Sequence, residues 1–439
     1  MSLALCNAVT GSADSSPSTG QSTTAPACES MMMLLLRQRP LLLLGWALFF
    51  LGIPLTSTIV SVLLLLVDSL VVFIRARLLG HEVAGPPIRS RQEGGKAKHL
   101  RILFILLGFW AMVGSLASIR PDIAVPSTIG LALIIITFFF RASDLLWEDC
   151  WILRRTIPFL VIGLLIASGY GIYAARVKRV VRLELLAQGP NGTGTCLLIA
   201  ILLAWSYADW LQRPWQKVGV RLAALAAVPS LLFTGSRGAW LGFAGGVASY
   251  MLFSSNRRNI VWAVVAVLIV AMVVQTSPSV QRRIDRMFSL ERNRDRLEVW
   301  SVTLSMIPDH LVFGIGTAVF PHVYQQYSPR GNSMALAHNF FLHALAEYGV
   351  PGLVLLVTVV GLSIVAGFQV VAKHRWALAQ GVLAALIGTL IHQQVDNTIH
   401  AANLANIFWF LCGFLVALRQ GQGETPTELP CVDRAQAEC

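Results

Sequence analysis

The chain alternates long apolar runs with short charged connectors. The first run, Leu41 to Ile74, is bounded by Arg37 and Arg39 on one side and by Arg75 and Arg77 on the other. One helix of that length would measure about 51 Å, against a hydrocarbon core of about 30 Å. Basic residues at both ends place both on the cytoplasmic side, which demands an even number of crossings. The run is therefore expected to break at Pro54–Thr58 into two short helices. Further spans are expected at 102–119 and 123–140, turning at Arg120-Pro121-Asp122, and at 157–175, 193–211, 222–233, 240–253 and 260–275. A hydrophilic stretch, 276–349, precedes three more at 350–372, 377–392 and 403–418. The pattern predicts an all-α, polytopic integral membrane protein with about 12 transmembrane helices and both termini cytoplasmic. Its expected parts are a disordered cytoplasmic tail over 1–36, helices 1–9 over 37–275, a large outer helical loop over 276–349, helices 10–12 over 350–418, and a cytoplasmic tail over 419–439.

Composition agrees with this reading. Hydrophobic residues make up 55% of the chain, charged residues 13%, and the mean hydropathy is +0.66. A soluble domain carries about 25% charged residues, so an ordinary soluble protein is excluded. The net charge is nevertheless +12, and only five of the 34 basic residues are lysines. On the spans above, 21 basic residues fall on cytoplasmic segments and six on short outer loops, the asymmetry that sets orientation. Four of those six share one segment: Arg176, Lys178, Arg179 and Arg182. Their spacing predicts a helix lying in the interface, with Val177, Val180, Val181, Leu183 and Leu185 as its apolar side, against anionic headgroups or an anionic lipid-linked substrate. The seven cysteines show neither a disulfide framework nor metal-ligand spacing.

The large loop carries arginine but no lysine. Arg282, Arg283, Arg286, Arg292 and Arg294, interleaved with Asp285, Glu291 and Asp295, read as a solvated helix face with i,i+4 pairs. Arg296 stands apart because it opens Arg296-Leu297-Glu298-Val299-Trp300, where an apolar helical pattern begins. Its planar fork suits bidentate phosphate contacts. Arg237 lies between two apolar half-spans, flanked by Gly235 and Gly238. A charge there is expensive unless it faces a cavity or an anion, and irregular backbone at that depth is tolerated beside a wet cavity or within protein. An anion site at Arg237 is expected. His338 stands near the start of a helix expected to close at Gly349 and Pro351. The positive end of a helix dipole favours the neutral imidazole that a general base requires; taken alone, a histidine in such a place is more often structural. His343 and Glu347, at i,i+4, read as a structural pair. His392, Asp396 and His400 fall at i, i+4 and i+8 and predict, with Gln393, Gln394 and Asn397, one polar helix face that binds the bundle together. A metal is not expected there, because no other helix offers a matching carboxylate set. Asp68 and Asp209 are expected to be paired or near the interface.

The sequence contains no Gly-x-x-x-x-Gly-Lys-Ser/Thr, no Gly-x-Ser-x-Gly and no Asp-x-Asp, so a nucleotide-hydrolysing loop, a hydrolase elbow and a metal-held nucleotide sugar are not expected. An enzyme without these needs a donor that already carries a good leaving group, and a lipid pyrophosphate is the natural candidate outside the membrane.

Three segments then carry a resemblance: Thr234-Gly235-Ser236-Arg237-Gly238-Ala239; Arg296-Leu297-Glu298-Val299-Trp300 with Gly314-Ile315-Gly316; and Ala337-His338-Asn339 with Glu347-Tyr348-Gly349-Val350-Pro351-Gly352. Gly189-Pro190-Asn191 and His392…Asp396 echo it. Over roughly residues 100–418 the chain resembles the O-antigen ligase and polymerase superfamily of bacterial inner-membrane glycosyltransferases, and most closely the ligases. The resemblance implies a GT-C-like membrane fold, an active site facing the periplasm, and a large loop that bears catalytic residues. It implies transfer of O-antigen from undecaprenyl pyrophosphate to a sugar hydroxyl of lipid A–core, with inversion and with neither metal nor cofactor. Arg237 and Arg296 would hold the pyrophosphate and His338 would act as general base. Arg176, Arg179, Arg182, Asn191 and Asn339 would contact the substrate or lipid headgroup. The partners are these two lipids and the membrane, with no nucleic acid and no nucleotide. An O-antigen polymerase and, in a different class, a lipid-glycan transporter are the alternatives; the transporter predicts an internal repeat, which the sequence lacks.

Overall fold

A computed structural model describes residues 40–55, 64–65, 67, 95–140, 142, 145–146, 150–185, 189–254, 258–285 and 290–420. The chain divides into two units, Met1–Pro40 and Leu41–Cys439, and the helical bundle belongs to the second. The expected break at Pro54–Thr58, Asp68 and both terminal tails lie outside the described residues.

The regular secondary structure of the described residues is all helical, without strands. In chain order the longer elements are α1 (Pro40–Leu55), α2 (Gly95–Leu116), α3 (Pro121–Ile135), α4 (Cys150–Thr156), α5 (Pro158–Arg176), α6 (Gly189–Trp210), α7 (Pro214–Phe233), α8 (Arg237–Phe253), α9 (Arg258–Thr276), α10 (Pro278–Asp285), α11 (Leu290–Met306), α12 (Phe320–Tyr327), α13 (Phe340–His374), α14 (Ala377–Gln393) and α15 (Ala402–Gln420). Six stretches among them are long and apolar enough to cross a membrane: Pro121–Phe140, Pro158–Arg176, Gly189–Trp210, Pro214–Phe233, Arg258–Thr276 and Phe340–His374. Helix α9 exposes Val261, Val264, Val267, Leu268 and Met272, an apolar surface that only lipid or another apolar partner can cover. The chain is an all-α polytopic membrane protein.

The span expected at 222–233 runs instead over Pro214–Phe233, 20 residues. Pro214 sits in its first turn, where a missing N–H costs nothing, and Trp215, Gln216 and Lys217 continue the helix beyond the apolar run. The chain then breaks at Thr234–Ser236. Gly235 takes φ +63, and Ser236 caps α8 by accepting from Ala239 N at 3.4 Å.

Helix α6 is the hub of the bundle, buried along almost its whole length. Beside it α8 and α14 touch backbone to backbone. A Cβ on Gly242 would meet Gly388 O at 2.4 Å, one on Gly388 would meet Gly242 O at 2.6 Å, and one on Gly246 would meet Ala384 O at 3.0 Å. Small residues every fourth position allow this approach, which in lipid replaces the hydrophobic effect as the source of helix cohesion. Arg221 and Asp209 form a buried ion pair, and Tyr250 Oη donates to Asp209 at 2.7 Å. The paired state expected of Asp209 is thus observed.

Helix α13 is two helices joined at Gly349, whose φ of +66 and ψ of −174 are not helical. Against this kink docks the loop that holds Gly314-Ile315-Gly316. Ile315 N donates to Ala346 O at 2.9 Å, Gly316 N to Glu347 O at 3.1 Å, and Val350 N to Leu311 O at 2.8 Å. A Cβ on Gly349 would meet Val312 O at 2.1 Å. The buried Glu347 carboxylate accepts from Ala318 N at 2.7 Å and lies 3.3 Å from His343 Nε2, so that expected pair is structural. The two glycine motifs of the sequence are therefore the two faces of one backbone joint.

Candidate functional site

At one end of α6, α8 and α14, segments far apart in sequence meet around Asp396. Its carboxylate is 6% exposed. His338 Nδ1 lies 3.1 Å from Oδ1. Because a carboxylate only accepts, Nδ1 carries a proton, and in the neutral ring this leaves the lone pair on Nε2. Asn191 Nδ2 donates to Oδ2, and Arg296 Nη2 approaches Oδ2 at 3.8 Å. Burial pushes the Asp396 carboxyl up. The hydrogen bond from His338, the nearby His392 and His338, and the Asn397 N–H together outweigh burial and hold it below the usual carboxylate range.

A second ring of arginines surrounds this carboxylate. Arg182 donates through Nη2 to Asn191 Oδ1 at 2.7 Å and through Nε to Thr234 O at 3.1 Å. Arg283 donates to Gly235 O at 3.3 Å. Burial first, then repulsion from Arg283, Arg296 and Arg237, lowers the Arg182 pKa, with Asp396 opposing. Arg182 thus lies within electrostatic reach of Arg237, Arg283, Arg296 and the Asp396 carboxylate. Four arginines against one carboxylate leave a net positive neighbourhood, which suits an anion.

The local folding explains each position. Arg237 opens α8, where the free backbone N–H groups of a helix start add positive potential. Gly238 lets α8 lie against His392, since a Cβ there would meet His392 Cδ2 at 2.5 Å. His392 in turn bridges α6 and α8 through Thr195 at 2.9 Å and Ser236 at 3.4 Å. Asn339 caps α13 by accepting from Leu342 N at 2.9 Å and donates to Gln394 O at 2.9 Å.

Several sequence expectations change. His338 stands near the helix start as expected, directly before the Asn339 cap, but in the left-handed region at φ +53. Asp396 adds a partner for its ring that the helix pattern does not reveal. No interfacial helix forms over Arg176–Leu185. Helix α5 stops at Arg176 and Arg179 takes φ +51, a conformation that ends a right-handed helix. Leu183 N then pairs with Phe233 O at 2.9 Å. This turns Arg182 inward, while Arg176, Lys178 and Arg179 stay exposed. His392, Asp396 and His400 do not share a helix face. Helix α14 ends at Gln393, whose Oε1 accepts from Thr398 N at 2.9 Å and Ile399 N at 3.2 Å. The turn sends His392 toward α6, Asp396 toward His338, and His400 toward His343, with ring centroids 4.8 Å apart.

The sequence does not single out Asp396 or Arg283 as members of the site. Arg283 lies inside a run of arginines that reads as solvated, and Arg282 and Arg294 are indeed exposed. Among the described residues one trio has metal-ligand atoms within 4.8 Å of one another: His343, Glu347 and His400. Glu347 there already serves Ala318, and His343 Nδ1 accepts from Ala337 N at 3.4 Å. That bond would leave the proton on Nε2, the nitrogen a metal would need, so the trio fits an ion poorly.

No curated protein matches the chain. Residues 222–357, which include Arg237, Arg283, Arg296 and His338, match the family model described as O-antigen ligase, and this match supports the family to which the three sequence motifs point.

Proposed function

We propose that this protein is a glycosyltransferase of the bacterial inner membrane, with its active site on the periplasmic side and both termini in the cytoplasm. It transfers O-antigen polysaccharide from undecaprenyl pyrophosphate to a sugar hydroxyl of lipid A–core. The observation that carries the reading is the His338–Asp396 pair with Arg296 at the same carboxylate and with Arg182, joined to it through Asn191, within electrostatic reach of Arg237 and Arg283.

The arginines bind the pyrophosphate and neutralise the charge that develops on it as the glycosidic bond breaks. His338 Nε2 accepts the proton of the attacking hydroxyl, and Asp396 holds the ring in the tautomer that leaves Nε2 free and stabilises the imidazolium that forms. The hydroxyl oxygen bonds to the anomeric carbon from the face opposite the leaving pyrophosphate, so one displacement inverts the configuration. Charge neutralisation by guanidinium needs no metal. Exposed Arg176 and Arg179 lie outside the cradle and suit the anionic headgroups of the outer leaflet.

The test is transfer in vitro by the purified protein, with a lipid-pyrophosphate-linked polysaccharide as donor. Lipid A–core and a second lipid-linked glycan are offered as separate acceptors. Product on lipid A–core supports the ligase. Product only on the second glycan makes the protein a polymerase, and no product with either acceptor overturns the transferase reading.

A further inference from the structure

The hydrophilic stretch 276–349 contains an apolar run, Leu311-Val312-Phe313-Gly314-Ile315. Ile315 is buried, but Leu311, Val312 and Phe313 are 49%, 50% and 43% exposed. Three consecutive large apolar side chains left open on a turn mark a contact surface rather than a solvated loop. The turn lies against α2 and the joint in α13. A Cβ on Gly114 would meet Phe313 O at 2.4 Å, the Phe313 ring stacks on Trp110 with centroids 5.2 Å apart, and Val350 N donates to Leu311 O at 2.8 Å. Leu116 of α2 and Val350 and Val354 of α13 are exposed as well. The turn therefore continues an apolar surface that runs onto α13, a helix long and apolar enough to cross a membrane.

Two further observations say what covers this surface. The first is depth. From Val350 to Lys373 the second half of α13 measures about 36 Å, against a hydrocarbon core of about 30 Å. With the exposed Lys373 at one membrane surface, Val350 reaches the other. The turn bonded to Val350 then stands where headgroups meet acyl chains. The exposed ion pair of Arg120 and Asp122, 2.7 Å apart and just past the end of α2, belongs at the headgroup level. The second observation is the backbone. Lipid demands that polar groups of the chain be paired within the protein. Leu311 O is taken by Val350, Gly314 N donates to His310 O at 2.9 Å, Ile315 N to Ala346 O at 2.9 Å and Gly316 N to Glu347 O at 3.1 Å. Val312 O packs against Gly349, where a Cβ would stand 2.1 Å away. The peptide groups are engaged with protein while the apolar side chains are left outside.

We propose that Leu311-Val312-Phe313 is a membrane foot, seated in the bilayer with the acyl chains of the surrounding phospholipid as its partner. The foot requires the membrane fold and does not depend on the transferase reading. The first half of α13 leads from the joint to Asn339 and His338, so the foot holds that helix at a set height over the lipid.

The test uses the full chain, one copy per phosphatidylcholine nanodisc. The fluorescent amino acid dansylalanine is placed at Val312, at Val264 on the apolar surface of α9, or at Gln325, an exposed position of α12. Each chain is quenched by lipids brominated near the headgroup end of the acyl chain and, separately, by iodide in the buffer. The foot predicts a larger loss of emission with bromolipid than with iodide at Val312, as at Val264, and the reverse at Gln325. Iodide quenching that equals or exceeds bromolipid quenching at Val312 puts the turn in water and overturns the proposal. Quenching by neither agent means that protein covers the turn, which overturns it as well. Melting is measured beside wild type, and the same comparison at Leu311 serves if the chain altered at Val312 does not fold.

Discussion

His338 Nδ1 and Asp396 Oδ1 are 3.1 Å apart across 58 residues of sequence. One stands before the cap of α13, the other beyond the end of α14, and the bond occupies Nδ1 and leaves Nε2 as the other ring nitrogen. Replacing His338 should therefore lower transfer by about 10²–10⁴-fold, the usual contribution of a positioned base. Asn is the better test than Ala, because Asn tolerates the φ of +53 at this position. The expected outcome is a normally melting protein without transfer; activity within a few-fold of wild type would remove His338 from the chemistry.

Asp396→Asn keeps an oxygen for His338 Nδ1 but takes away the charge that stabilises the imidazolium, so a loss of similar size is expected in kcat. The same variant tests stability. The folded pKa of Asp396 lies below its ordinary 3.8. Its ionised form therefore stabilises the fold fully above that value, and the benefit disappears as pH falls through the folded value. The melting difference between wild type and Asp396→Asn should stay level from about pH 7 to about pH 5 and shrink below about pH 4. A difference that instead grows on acidification would contradict the assignment.

Arginine-to-lysine exchanges separate the cradle from the periphery. Arg237→Lys, Arg283→Lys and Arg296→Lys should each raise the donor KM or lower kcat by about tenfold or more, because a point charge cannot reproduce a planar fork. Arg176→Lys and Arg179→Lys, on exposed side chains, should stay near wild type at saturating donor. Unchanged transfer at all five positions would show that charge alone matters, and equal losses at all five would remove the distinction between cradle and periphery.

Gly388→Val tests the α8–α14 contact. A side chain there meets Gly242 O, 2.6 Å from its Cβ, and overpacking of this kind costs about 1–3 kcal/mol. Lower melting temperature and lost transfer should appear together, since the same contact sets Arg237 beside the segment that holds Asp396. Unchanged melting would mean that the helices separate freely.

Legibility in the sequence differs by element. The apolar runs locate the helices because lipid imposes length and composition on a span. Arg237, Arg296 and His338 can be read because each interrupts a pattern: a charge among glycines at membrane depth, an arginine opening an apolar helix, a histidine before a helix. The role of Asp396 cannot be read, since its spacing from His392 suggests one helix face and only the Gln393 side chain, bonded to Thr398 N and Ile399 N, turns the chain away. Arg283 is hidden beside Arg282, which differs from it in which way α10 faces. The fold of Arg176–Leu185 escapes the pattern because an amphipathic spacing says nothing of the left-handed residue, Arg179, that stops the helix.

Asn339 carries a consequence for mutational mapping. Its two amide ends clamp the start of α13 to Gln394, two residues from the carboxylate that orients His338. A variant at Asn339 disconnects the supports of the proposed base, an effect separate from any contact of Asn339 with substrate. A survey scored on product alone will rank Asn339 beside His338, so adjacent residues with unrelated duties will look like one motif. Only a readout of ring orientation, such as the nitrogen chemical shifts of His338, tells the support from the proposed acid–base group it supports.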